Sequence, residues 1–312
     1  MRIGSRGSQL ALWQANHIAA RLRALGYDVT IEIIRTTGDA LQHVTFARVS
    51  TELGGKGIFT KEIEEALREG RIDLAVHSLK DLPTELDPAF TLAAIPERVD
   101  PRDALLSARY ASLAGLPHGA RVGTSSERRR AQLLVHRPDL QFQEFRGNVD
   151  TRIRKMVEGQ ADAIILASAG LERLGLTEYR RECFAPGILC PAAGQGALAI
   201  ETRADDAATL AALASLDHPA TRYAVTAERA ALAALGGGCQ VPIGVHCAPV
   251  PGSGSAYSIQ GVVAGAAAAK AAASAAHPVI RVELENQHGI LPQALGRQLA
   301  EELLRQGAQP FA

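Results

Sequence analysis

Over the first two thirds of the chain, short apolar runs of strand length alternate with longer stretches that carry one apolar face. That order of elements is typical of α/β domains. Arg2 to Ser5 predicts a first strand. Ile18, Leu22 and Leu25 share one face of a helix that Ser8 caps and Gly26 stops. Val29, Ile31 and Ile33 alternate as a second strand. After the loop TTGDALQHVTFARVSTELGGKG, Thr60 caps a helix through Glu69, and IDLAV at 72–76 predicts a buried strand that runs directly into HSLKDLP. Strand TLAAI at 91–95 leads into PERVDPRD, a charged stretch with two prolines that reads as a crossing between domains.

A second block repeats this alternation, with ALLS, RVGT, a helix from about Ser126 to His136, QFQEF, a helix from Asp150, and DAIILA at 162–167. FAPGILCPAAGQGAL at 184–198 reads as a second crossing, followed by strand LAIET. Two crossings imply that the chain leaves one α/β lobe, builds another and returns, with a cleft between them, a common place for ligands. The last third differs. A helical run covers about Pro219 to Leu235, GGGCQVPIG breaks it, and strand-like stretches follow near 241–248, 256–263 and 278–284 before a final helix at about 291–305. Strands without intervening helices predict a small antiparallel sheet with helices on one face. The tract VVAGAAAAKAAASAAHP has low complexity and reads as a surface hairpin connection.

Composition narrows the function more than the fold. At 312 residues the chain exceeds one ordinary core, so two or three domains are expected. Lys+Arg 33 against Asp+Glu 33 leaves no net charge, which argues against a general nucleic-acid binder. Any anion site must therefore be a local cluster of bases. The sequence contains no apolar run long enough to span a membrane and its start lacks the layout of a secretion signal. Cysteines at 183, 190, 239 and 247 form no C-x-x-C pair, which suits free thiols in a reducing cytosol. No metal-ligand spacing, Walker loop or G-x-G-x-x-G after a strand is present, so no metal or dinucleotide is expected.

The arginines are unevenly placed. Arg6 follows the first strand, Arg128, Arg129 and Arg130 lie in GTSSERRR, Arg146 opens RGN after a strand, Arg152 follows, and Arg173 lies in AGLERLG. Strand ends in an open α/β sheet converge on one edge, and guanidinium forks suit carboxylates there. Each arginine taken singly also reads as solvated helix surface. GTSS at 123–126 adds hydroxyls and N–H groups at a helix start, an anion cradle in its own right. Asp81, beside Lys80 at a buried strand's end, either handles protons and N–H donors or merely shapes the turn before Pro83. Cys239 follows three glycines that can hold its sulfur out on a loop, whereas the other three cysteines sit in apolar or strand-like surroundings.

In chain order, LALWQA, GGKGIFTKEIE, DLAVHSLKDLP, DPRDAL, GTSSERRR, RGNVDTR, DAIILASAGLERLG, PAAGQGALAIE, TAERA and GGGCQVPIG together resemble the porphobilinogen deaminase (hydroxymethylbilane synthase) family over about residues 2 to 245. The resemblance implies two lobes like those of type II periplasmic binding proteins with a cleft between them, and a third, α+β domain with a three-stranded antiparallel sheet. Its expected boundaries are 1–97 plus 197–216, 98–196 and 217–312. It implies a cytoplasmic, monomeric transferase of haem biosynthesis that joins four porphobilinogen molecules head to tail, releasing ammonia, to give hydroxymethylbilane. The work is done on a dipyrromethane cofactor, itself made from substrate, whose thioether falls by position on Cys239.

Carried over position by position, Asp81 matches the catalytic aspartate. Arg6, Arg128, Arg129, Arg146, Arg152 and Arg173 match carboxylate-binding arginines, since every substrate ring brings an acetate and a propionate. Ser8, Lys80, Thr124, Ser125 and Ser126 match further cofactor or substrate contacts. Lys56 and Phe59 match a mobile loop, and Gln195 a hinge residue. The implied chemistry is loss of ammonia to an electron-poor azafulvene, attack by a free pyrrole α-carbon, and loss of that carbon's proton. Glu52 departs from the pattern, standing where the family often has a lysine. Two other classes remain as alternatives: a solute-binding protein with the same lobes, and a thiol-dependent acyl transferase using Cys239.

Overall fold

The structure is a computed structural model and describes residues 1–36, 60–236, 241–253, 256–265, 279–286 and 289–311. The chain forms two compact units, Met1–Arg98 with Ala197–Thr221 and Val99–Gly196 with Arg222–Ala312. The unit boundaries at 98/99 and 196/197 fall within the two stretches expected to be crossings.

The first unit opens with β1 (Arg2–Ser5), α1 (Gln9–Ala24) and β2 (Thr30–Ile33). It continues with α2 (Lys61–Arg68), β3 (Leu74–Ser78), a 3-10 turn Leu79–Asp81 and β4 (Phe90–Ala94). Ser8 caps α1, its Oγ accepting from the Ala11 N–H at 3.3 Å. Thr60 stands at the start of α2 without making a side-chain cap. The third strand begins two residues later than its apolar run suggests. Ile72 is instead used in the core under α2, with Ile63, Ala66 and Leu67.

The second unit contains β5 (Asp103–Leu106), β6 (Arg121–Gly123), α3 (Glu127–His136), β7 (Gln141–Gln143) and α4 (Val149–Val157). Then come β8 (Ala163–Ala167), α5 (Ser168–Leu174) and β9 (Arg180–Cys183). Sequence reading passes over β9, because RREC carries no apolar alternation; it exists by pairing at the sheet edge with β5. Returning to the first unit, β10 (Leu198–Arg203) is followed by α6 (Ala207–Leu213), a second element that the apolar pattern does not announce. Its start is fixed locally, since Asp206 accepts from the Thr209 N–H at 3.0 Å.

The two five-stranded sheets have the orders β2-β1-β3-β10-β4 and β7-β6-β8-β5-β9. In each, four strands share one direction and the fourth in the order runs antiparallel to both its neighbours. That antiparallel strand is the first one laid down after a crossing, β10 in one sheet and β5 in the other. One open α/β sheet in each unit agrees with the two α/β lobes expected from sequence. Both sheets are covered on both faces, so their strands read as unbroken apolar runs. In the first, Leu74 and Val76 pack toward α1, while Ala75 packs toward α2. In the second, Leu105, Val122 and Ile165 face Leu133 of α3, while Ala104, Leu106 and Ile164 face Ile153 and Met156 of α4.

The chain ends in a separate α+β portion of the second unit. It holds α7 (Pro219–Ala234, its first residues lying in the first unit), β11 (Ile243–Pro249), β12 (Tyr257–Ala264), β13 (Val279–Asn286) and α8 (Pro292–Arg305). The three strands form an antiparallel sheet in sequential order, as expected. Ile259 and Val263 share a core with Ala227 and Ala231 of α7 and with Leu295, Leu299 and Leu303 of α8. The Ala-rich tract lies mostly outside the described residues.

Gly196 ends the second crossing at φ +88°, and a Cβ there would sit 2.6 Å from the Val99 carbonyl oxygen. Gly196→Ala is therefore expected to cost about 1–3 kcal/mol through left-handed backbone strain, before any clash is counted. A lowered urea midpoint checks it; an unchanged midpoint would contradict the close approach.

Candidate functional site

In the first unit the C-terminal ends of the parallel strands β1 and β3 meet the start of α1, where an α/β sheet gathers ligands. A recess of about 90 Å³ opens there, with Arg6, Ser8, Gln14, His77, Ser78 and Asp81 among its lining. Three of the residues singled out by sequence are thus brought together. Arg6 is half-buried and Asp81 exposed. Asp81 closes a turn whose Leu79 is 1% exposed, and the Leu79 N–H donates to the Ala197 carbonyl at 3.1 Å. The turn is therefore anchored by its apolar member and its backbone. Among the described residues no hydrogen bond runs to the Asp81 carboxylate, so the turn-shaping reading of that residue finds no support. Lys80 lies in the same turn, half-buried, and is not among the residues lining the recess.

Gln14, His77 and Ser78 were not singled out by sequence. Gln14 is 3% exposed, and its Nε2 donates to Ser78 Oγ at 2.8 Å, tying α1 to the end of β3. A signal for it existed: Gln14 stands one turn before Ile18 on a face that is otherwise apolar. His77 sits inside the apolar run DLAVHSL, where a polar side chain needs a partner.

In the second unit GTSS joins the end of β6 to α3. Ser126 caps the helix, its Oγ accepting from the Arg129 N–H at 3.4 Å, and Thr124 Oγ1 accepts from the Ser126 N–H at 3.2 Å. Ser125 donates to the Phe145 carbonyl at 3.1 Å. The helix start expected from sequence is present, and its hydroxyls shape it.

Arg128 and Arg129 are not solvated surface: they are 4% and 7% exposed. Sequence reading missed their partner, Asp103, which is fully buried on β5. Arg128 pairs with it at 2.8 Å and Arg129 at 2.7 Å. Further bonds run from Arg129 to the Ile165 carbonyl at 3.0 Å and from Arg128 to the Cys190 carbonyl at 2.5 Å. Burial pushes the Asp103 carboxyl up, but the two guanidiniums outweigh it and hold the group well below the usual carboxylate range. PERVDPRD places Asp103 as the last residue of the first crossing; only the fold sets it under α3.

Arg152 has a different setting. Its Nε donates to the Gly147 carbonyl at 2.7 Å. Burial, with Arg129 and Arg146 as neighbouring cations, pulls its pKa down to about 10. Arg146 also ion-pairs with Glu144. The arrangement gathers four arginines that Asp103 and Glu144 only partly offset, within a protein of zero net charge. Arg173 is 8% exposed and donates to the Gly196 carbonyl at 2.7 Å; burial lowers its pKa to about 10. Gln195, 1% exposed, donates to the Pro101 carbonyl at 2.7 Å and to Asp103 at 3.0 Å. It thereby ties the two crossing segments together within this unit. Lys56, Phe59 and Cys239 lie outside the described residues. Of the other thiols, Cys190 and Cys247 are buried and Cys183 half-buried. Burial pushes the Cys190 thiol up to about 12, which suits a structural rather than a reactive role.

Comparison with known proteins decides the family. Residues 1–211 match the family model described as porphobilinogen deaminase, dipyromethane cofactor binding domain. Residues 222–305 match the one described as porphobilinogen deaminase, C-terminal domain. The chain belongs to the porphobilinogen deaminase family. A porphobilinogen deaminase of Nitratidesulfovibrio vulgaris is 51% identical over 309 residues, covering 98% of this chain and 93% of that one. Another, from Roseiflexus castenholzii, is 48% identical over 311 residues, covering 99% and 97%. Among solved structures, a periplasmic substrate-binding protein of an ABC transporter from Coxiella burnetii overlays with a TM-score of 0.41 at 17% identity, covering 71% of this chain and 94% of that one.

The family's dipyrromethane can be tested against the residues present. Two pyrroles with their acetates and propionates form a polyanion with N–H donors along one edge. Arg152 beside Arg129 and Arg146 supplies cationic donors for the acids, and Asp81 with Arg6 offers an acceptor beside a cation for a pyrrole. Taken unit by unit, the donors present suit the chemistry of the group. Among the described residues there is no cluster of His, Cys, Asp and Glu that would hold a metal, and no helix long and apolar enough to cross a membrane.

Proposed function

We propose that this chain joins four porphobilinogen molecules head to tail, with release of ammonia, to give hydroxymethylbilane on a dipyrromethane attached by a thioether to Cys239. The observation that carries this reading to the site is the meeting of Arg6, Ser8 and Asp81 in one recess at the ends of β1 and β3. When bound, the dipyrromethane supplies the free pyrrole α-carbon to which the first substrate is joined. Asp81 accepts hydrogen bonds from pyrrole N–H groups and stabilises the positive charge that builds there as the aminomethyl group loses ammonia. Arg6, Arg146 and Arg152 grip acetate and propionate groups as bidentate forks. Arg128 and Arg129 contribute the N–H groups that Asp103 and the carbonyls leave over, with Thr124, Ser125 and Ser126 beside them.

In the same reading Lys80 and Ser8 complete the contacts to the bound rings, and Lys56 and Phe59 belong to a loop that excludes water from them. Gln195, with Arg173 on the Gly196 carbonyl, serves the hinge. Three domains, at 1–97 with 197–216, 98–196 and 217–312, are supported by one sheet in each. We infer a monomer, as the family resemblance implies, and a place in the cytoplasm, which Cys183, Cys190 and Cys247 as free thiols support.

The mass of the purified protein tests the reading. The peptide containing Cys239 is expected to carry a covalent dipyrrole that reacts with Ehrlich's reagent. A bare sulfur in an active preparation would favour the acyl transferase, and a bare sulfur with bound solute the binding protein.

A further inference from the structure

The recess that holds Asp81 has a second titratable group in its wall. His77 on β3 is 8% exposed and lines the recess with Arg6, Ser8 and Asp81. Its Nε2 lies 3.0 Å from Oε2 of Glu201 on β10. The strand register explains the meeting: His77 pairs with Ala199, so Glu201 lies two residues along on the same face of the sheet. Glu201 is fully buried, and its Oε1 has no hydrogen-bond partner among the described residues.

A carboxylate at such depth is costly unless a proton or a cation compensates it. The imidazole is the group that meets it. With Nε2–H donated to Glu201, the lone pair remains on Nδ1. A proton arriving on Nδ1 then creates an imidazolium against a carboxylate, so buried charge is cancelled rather than added. Among the described residues, Glu201 is thus a buried carboxylate that only the imidazole meets, on one oxygen. Other charged groups act on the pair from each neighbouring element. On α2, Glu64 has its carboxyl pushed up by burial and further by Glu201, while Thr60 and His77 pull it down. Asp81 on the turn and Arg6 after β1 are the charged groups that line the recess with it. The family chemistry as set out above assigns the charge-stabilising role to Asp81 and leaves open which group takes the proton from carbon.

We propose that His77, oriented by Glu201, receives the proton that the pyrrole α-carbon loses each time a ring is joined. The proposal rests on the transferase reading above. The bond between the aminomethyl carbon and nitrogen breaks, and its electron pair leaves with ammonia. The α-carbon then forms a bond to that methylene carbon. The C–H bond at the α-carbon breaks, its electrons restore the ring, and its proton moves to His77 Nδ1. From there the proton passes to the ammonia, which departs as ammonium. Glu201 is a positioning residue in this scheme: it fixes the tautomer and offsets the imidazolium. Asp81 holds the pyrrole N–H groups throughout, so charge stabilisation and proton removal fall to two different side chains.

The test uses primer-loaded enzyme and porphobilinogen carrying deuterium at its free α-carbon. His77→Gln keeps an N–H donor toward Glu201 and removes the base. It is expected to slow ring addition by about 10²-fold or more and to bring out a primary isotope effect larger than in the wild type. A merely structural role would slow turnover without making C–H cleavage the slow step. An isotope effect equal to the wild type's therefore overturns the proposal, whatever the rate. Should His77→Gln not fold, nitrogen-15 histidine spectra of the wild type decide, with Glu201→Gln identifying the His77 signals by their shift. Nε2–H with a bare Nδ1 is expected, and the opposite tautomer overturns the assignment. If the wild type consumes no porphobilinogen, it is the parent reading that fails, and this one with it.

Discussion

Replacing Asp81 by alanine is expected to lower the rate of hydroxymethylbilane formation by about 10²–10³-fold while leaving the fold and the bound primer in place. The two halves of that expectation have separate grounds. The carboxylate is exposed at the mouth of a recess and accepts no hydrogen bond from the described residues, so little in the first unit depends on it. The turn that presents it is held by buried Leu79 and by the Leu79 N–H on Ala197. Its role as a fixed acceptor is worth most when positive charge builds on the pyrroles, which is why the loss falls on rate. Single-turnover kinetics with mass analysis of the Cys239 peptide provide the check. An Asp81→Ala enzyme that turns over normally would remove this residue from the mechanism. One that unfolds would restore the turn-shaping role.

Asp103→Ala is expected to have the largest effect on stability, about 3–5 kcal/mol, because it leaves two guanidiniums buried without their shared counter-charge. Arg128, Arg129 and Gln195 all lose a partner at once. The same change removes the ion pairs that fix the Arg128 and Arg129 guanidiniums and one of the two Gln195 bonds, so retention of substrate carboxylates should weaken as well. Urea unfolding gives the stability. A loss below about 1 kcal/mol, the scale of a surface pair, would mean that the network contributes little.

The Asp103 carboxylate also carries a pH signature. Its folded pKa lies below its unfolded value, so its contribution is fully present above about pH 4 and is lost as pH falls through the folded value. Stability of the wild type should therefore drop more steeply below pH 4 than that of Asp103→Asn. Parallel curves would show that the pair does not hold the carboxyl down.

Much of this could be read along the chain. Ser8 before Gln9 and Ser126 before Glu127 mark helix starts because capping is settled within three or four residues. The three strands of the last portion were placed to within about two residues because they are flanked by turn-forming segments. The ends of β1, β3 and β6 were legible as sites because an open α/β sheet brings strand ends to one edge. Strand β9 and helix α6 were not legible, since pairing and a single cap create them rather than periodicity. Gln14 and His77 stood as polar residues within apolar patterns, a mark that can be seen but whose partner cannot be named.

The sequence by itself determined the order of elements, the alternation of two α/β portions with a smaller α+β one, and a succession of motifs specific enough to indicate the family. These rest on local propensity, apolar periodicity and residue order, all of which are written in neighbouring positions. Only the tertiary structure decided that Asp103 lies under Arg128 and Arg129, that Glu201 meets His77, and that Gln195 spans two crossings. Those pairs are separated by 25, 26, 124, 92 and 94 residues. A buried charge finds its compensation through the fold's register and depth, and no local pattern encodes which distant residue will supply it.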